Sequence, residues 1–123
     1  MLNVQADIRE RLQAALPDAA VRVSVPADRP ARLVVVRRSG GRERNALIDA
    51  PGVEMQCWGA TEAEACELAH SVAAAMRSLA FADGYASVEQ QTMHSDYDQL
   101  ARSPRWYLDY SLRTYTPNKK ENA

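Results

Sequence analysis

At 123 residues and 13.6 kDa the chain fits one domain, and its 46% hydrophobic and 25% charged residues exclude a fibrous or wholly disordered protein. No apolar run nears the roughly 20 residues of a bilayer span, and Asp7 and Glu10 come too early for a signal peptide, so a soluble, unexported protein is expected. The net charge of -1 argues against a dedicated nucleic-acid binder but hides segregation: residues 22–44 hold seven arginines against Asp28 and Glu43, whereas residues 45–100 hold nine acids against Arg77 alone.

Ile8, Leu12 and Leu16 recur every four residues with Val4 and Ala15 beside them, which predicts a helix over Leu2 to Leu16, capped by Asn3 and ended by Pro17. Val21, Val23 and Val25 alternate with Arg22 and Ser24 as in a half-wet strand, after which Pro26 and Pro30 bracket a turn. Leu33-Val34-Val35-Val36 is an unbroken run, mostly β-branched, expected in a central strand covered on both faces. The stretch Arg37 to Asn45 has no apolar residue and a Gly40-Gly41 pair, and reads as a mobile loop or hairpin tip. Ala50-Pro51-Gly52 is expected to turn the chain into a strand over Val53 to Trp58 whose inner face is Val53, Met55 and Cys57.

Thr61 and Glu64 form a capping box at the head of a long helix. Its stripe of Ala65, Leu68, Ala69, Val72, Ala73, Met76 and Leu79 runs to about Ala80, and Asp83-Gly84 closes it. Tyr85 to Met93 reads as a weaker strand anchored by Val88, and His94 to Ser103 as a connection. In the last strand Trp106, Leu108, Tyr110 and Leu112 face one way, and Tyr107, Asp109, Ser111, Arg113 and Tyr115 the other. The grouping implies an α+β domain over residues 1–116: a mainly antiparallel sheet of about five strands with two main helices packed on one face. A polar tail follows over residues 117–123.

Little here suggests catalysis. His94-Ser95-Asp96 holds the residue types of a hydrolase triad, but sequence neighbours cannot make its two successive hydrogen bonds. No phosphate-cradling glycine pattern occurs. Cys57 and Cys66 form no CxxC and have no histidine at ligand spacing, so both are expected reduced and buried. His70 lies where Glu67 would hydrogen-bond it, and Asp96 and Asp98 lack the spacing of a calcium loop. No catalytic residue, metal ligand or cofactor is therefore assigned. Opposed charges on one chain suit contact between identical copies, and the mix of Tyr107, Arg113 and Tyr115 suits a protein interface better than base stacking.

The order and spacing of these pieces resemble the phage tail terminator (tail completion) proteins of long-tailed phages and prophages. The resemblance covers about residues 2 to 116. It rests on the N-terminal helix, on Val25-Pro26 and Arg29-Pro30 leading into Leu33 to Arg37, and on Gly40-Gly41. Val53 to Trp58, Thr61 to Ala65 with Leu68, Ala69 and Val72, and the closing Trp106-Tyr107-Leu108-Asp109-Tyr110 continue it. It implies a non-enzymatic ring, hexameric in that family, in the tail or neck of the virion and assembled in the host cytoplasm. Such a ring ends tube polymerisation, docks the head, and touches the tail tube protein and a head-tail connector or neck protein. DNA would pass through it without being read. The expected contacts are Arg37, Arg38, Arg42 and Arg44 with Glu62, Glu64 or Glu67 of a neighbour, with Tyr107, Arg113 and Tyr115 as further interface residues. The alternatives are a head-completion or stopper protein, or a small nucleic-acid module.

Overall fold

The computed structural model describes residues 3–44 and 47–115. Its elements are α1 (Val4–Ala15), β1 (Ala20–Arg22), β2 (Leu33–Glu43), β3 (Ile48–Trp58), α2 (Glu62–Leu79), β4 (Tyr85–Ser95) and β5 (Arg105–Tyr115). The strands form one sheet in the order β1-β2-β3-β5-β4, antiparallel except for the short parallel β1–β2 pair, so the fold is α+β with a mostly antiparallel five-stranded sheet.

Both helices lie on one side of the sheet. Alternation along the strands sends Val34 and Val36, Val53, Met55 and Cys57, and Leu108, Tyr110 and Leu112 to that side, where they meet Ile8 and Leu12 of α1 and the Ala65-to-Leu79 stripe of α2. Side-chain oxygens start both helices. Asn3 accepts the Ala6 amide at 3.1 Å, and Thr61 and Glu64 exchange the two bonds of the capping box at 3.1 Å each. Across the core the Tyr85 hydroxyl donates to Asp7 at 2.6 Å, and Asp7 is held in turn by Arg11 at 2.9 Å, which fastens α1 to the start of β4.

Four expectations need correction. The strand at Val21 stops at Arg22: β1 pairs with β2 only from Ala20–Leu33 to Arg22–Val35, and Val23 and Val25 beyond it are exposed. The arginine-rich stretch is no loop: β2 runs on through Glu43, with a bulge between Arg38 and Gly40 after which Gly41 faces Pro51 and Glu43 faces Asp49. Gly41 takes φ +82, and a Cβ there would come within 2.1 Å of the Ala50 carbonyl oxygen, so a side chain is barred on two counts. Residues 50–52 do not turn but lie inside β3. Pro51 has no N–H to give, and the β3–β5 ladder is interrupted there, between Asp49–Thr114 and Gly52–Ser111, without losing register. Finally, β4 reaches Ser95, and its most buried residue is Tyr85, not Val88. Leu2, Asn45 and the tail over 117–123 lie outside the described residues.

The sheet's β1 edge is closed by side chains. The Gln13 carboxamide accepts from the Val21 amide and donates to the Ala19 carbonyl, Arg9 donates to the Val21 carbonyl, and Gln5 accepts from the Arg38 amide where β2 outruns β1. At the other edge, β4 is broken by register shifts at 85–87 and 90–92.

Burial raises the Cys57 thiol and the Tyr85 and Tyr110 phenols above their ordinary ranges, and the bond to Asp7 raises Tyr85 further. The folded chain therefore keeps protons that the unfolded chain releases from about pH 9 for the thiol and pH 10 for the phenols. Stability is expected to hold to about pH 9 and then fall by about 1.4 kcal/mol per pH unit for each group passed. Urea denaturation from pH 7 to 11 checks this, and Cys57→Ala moves the onset to about pH 10.

Candidate assembly interface

The face of the sheet away from the helices carries Arg37, Arg42, Arg44, Tyr107, Arg113 and Tyr115 of the candidate residues, and strand register orders this face into rows. At one end Leu33, Val35 and Trp58 form a small second core beside Ala20. The loops over 23–32 and 96–104 meet at this end, since Arg29 donates to the Ser103 hydroxyl at 2.9 Å. Arg29 and Arg105 lie over the Trp58 ring, and the indole N–H donates to Asp98 at 2.8 Å. Burial works against the Asp98 carboxylate, but the Trp58 and Ala101 bonds and Arg105 outweigh it and hold the carboxyl below its usual range. Arg105 pairs with Asp96 at 2.9 Å and Asp98 at 3.4 Å. These two acids are thus part of the scaffold.

The next row runs Val35, Gln56, Tyr107, His94, in which His94 stacks on Tyr107 at 5.5 Å and Arg105 covers the same ring at 4.9 Å. After it come Arg37, Glu54, Asp109 and Thr92, then Gly40, Gly52, Ser111 and Glu89. The last stretch, toward the hairpin tip, holds Arg42 opposite Ala50, with Arg113 opposite Ser87. Arg44 joins Arg42, Gly41 and Ala50 around one hollow, and Arg113, Ser87, Ser111 and Glu89 around a second. Polarity along this face passes from apolar through aromatic and acidic to basic.

The ten interface candidates divide. Arg38 is used internally: it turns to the helix side and holds Asp49, only 3% exposed, in a two-pronged pair at 2.9 and 3.0 Å. Glu64 is committed to its cap, and Glu62 accepts from the Trp106 indole at 2.9 Å and the Ser95 hydroxyl at 3.4 Å. The ion pairs among the described residues involve none of Arg37, Arg42, Arg44, Arg113 or Glu67. All five are exposed. Tyr107 and Tyr115 are half-buried on the open face. The structure therefore gathers Arg42, Arg44 and Arg113 at the tip end of one face. It sets Glu62, Glu64 and Glu67 on the other side of the sheet at its opposite end, where α2 begins after Trp58.

Two details of the sequence reading change. His70 bonds to the Cys66 carbonyl at 2.9 Å and lies near the Trp106 ring, so Glu67 is not its partner. Cys66 is only half-buried, while Cys57 is fully buried; both are free thiols. Sequence reasoning missed Asp49 and the Ser87–Ser111–Glu89 wall, and the available signal was the lone acid in the apolar setting after Leu47-Ile48.

No helix among the described residues is long and apolar enough to cross a membrane. No family model matches the chain, and neither does any curated protein.

Asp49→Ala would strand the Arg38 guanidinium beside the core and release the hairpin beyond the bulge. A loss of about 3 kcal/mol is expected by urea denaturation, the low end for a broken buried pair because Arg38 keeps some solvent. Amide exchange over residues 38–43 should quicken with it.

Proposed function

We propose that this chain is a structural ring protein of a phage tail, closing the head-proximal end of the tail tube and offering the surface to which the head docks. The observation that carries the reading is the placement of its unspent charge. Three arginines sit on the open sheet face at the hairpin tip, and the acids of α2 sit on the other face at the far end. A patch and its complement at opposite ends of one subunit cannot satisfy each other within the chain. Between copies they give a head-to-tail contact, the heterologous type that closes into a ring when the rotation is right. A hexamer, a tube protein on one side and a neck protein on the other are the assembly that the resemblance suggests. The long stiff hairpin supports the reading, since it carries the arginines on paired strands and not on loose chain.

The face is ill suited to nucleic acid. Glu54 and Asp109 lie side by side between Tyr107 and the basic tip, and Glu89 stands in the tip itself, so a phosphate backbone laid along the strands would meet carboxylates.

The reading requires a tube protein encoded by the same genome, and tubes polymerised from it provide the test, with electron microscopy as the readout. Addition of the chain at low salt is expected to stop growth and leave a ring at one tube end. Unchecked growth with bare ends, and a monomer by native mass spectrometry at every concentration, would overturn the proposal.

A further inference from the structure

The groove at the hairpin tip is built for one kind of guest. Its two hollows share Arg44 and Ala50, so together they form a trough with Arg42 at one end and Arg113 at the other. The Arg113 hollow is small, about 120 Å³, and Ser87 and Ser111 line it with two hydroxyls. Arg42, Arg44 and Arg113 take part in none of the ion pairs among the described residues, although each is a fork of donors shaped to hold two oxygens. Glu89 on the same wall opposes the arginines in part. An anionic guest gains more from three arginines than it loses to one glutamate, and which anion it is follows from what this chain can offer.

We propose that this trough is a carboxylate clamp for a second copy of the chain, and that the acid it takes is Glu67 on α2 of that copy. The inference rests on the ring reading above and names its contact. Charge complementarity picks α2: Glu62, Glu64 and Glu67 fall within its first six residues, and its one basic residue, Arg77, is in the last turn. Of these acids Glu67 is the one without a partner among the described residues; Glu62 holds the Trp106 indole and Glu64 holds the Thr61 amide. The chain's own α2 cannot supply the guest. Strand β3 has 11 residues between the tip and the start of α2, about 35 Å, and the sheet separates the two sites. The clamp therefore joins the tip of one subunit to the opposite end of the next. Glu89 lowers its affinity, and Glu89→Gln strengthens it.

Two variant chains, S111C/C66S and A63C/C66S, which place the cysteines in the trough and one helical turn from Glu67 and keep every charged residue of the contact, test this when mixed and treated with a short bismaleimide; both altered positions are exposed and outside the core. The expected result is a two-chain product from the mixture and from neither chain alone, lost when salt is raised from about 0.05 to 0.5 M as exposed charges are screened. Arg44→Glu is expected to lower association at least 10-fold by light scattering, and R44E/E67R to restore it to within about 3-fold, the reciprocity a direct pair requires. No product although the chains assemble would overturn the clamp and leave the ring standing. Chains that never assemble, with or without tubes, would overturn both. Retention of a short DNA duplex by the unaltered chain and not by R44E would overturn the clamp in favour of a phosphate groove.

Discussion

A carboxylate at 3% exposure is costly unless its charge is answered, and Asp49 is answered by both prongs of Arg38 from the neighbouring strand. The pair lies where β2 and β3 leave the apolar core, and it spans a bulge. The extra residue at Ser39 shifts the pairing by one, so Arg38 stays on the helix side while Arg42 comes out on the open side. Without the pair the hairpin beyond Gly40 would keep only ladder bonds and a few small side chains. The arginines it presents would then be ordered anew in every encounter, at a conformational cost that weakens binding.

The two ends of the sheet are held by different chemistry. At the Trp58 end two loops are bound over an indole by Arg29, Arg105, Asp96, Asp98 and Ser103, so many charges are present but almost all are consumed. At the tip the backbone is regular and the charges are unspent. A surface made of fixed but unanswered charge stores electrostatic energy that an opposite charge brought against it would lower.

Much of this was legible in the residues. The capping box at Thr61 and Glu64, the α2 stripe, the doubly covered Leu33-to-Val36 run and the alternation of the last strand all appear as read, because each is a local pattern with one periodic solution. What failed was wherever local chemistry spoke for a loop and tertiary pairing overruled it. Gly40-Gly41 and Pro51-Gly52 are turn formers in isolation; facing each other across one ladder, they become the slim section of a hairpin whose backbones approach closely. Arg38 looked like one more exposed arginine because its partner is 11 residues on, and only the bulged register brings the two together. The free status of Glu67 beside the occupied Glu62 and Glu64 was equally hidden, since it depends on Trp106 and Ser95 arriving from other strands.

Gln5, Arg9 and Gln13 close one margin of the sheet, and the register breaks of β4 roughen the other. Main-chain pairing between molecules, the route to near-irreversible stacking, is thereby discouraged from both directions. A contact between copies, as proposed above, would then form through side chains, whose grip can be tuned by ions and released. For the ring component proposed above, which would wait unaggregated until its place in a larger structure exists, a hidden backbone and a displayed charge are the fitting surface.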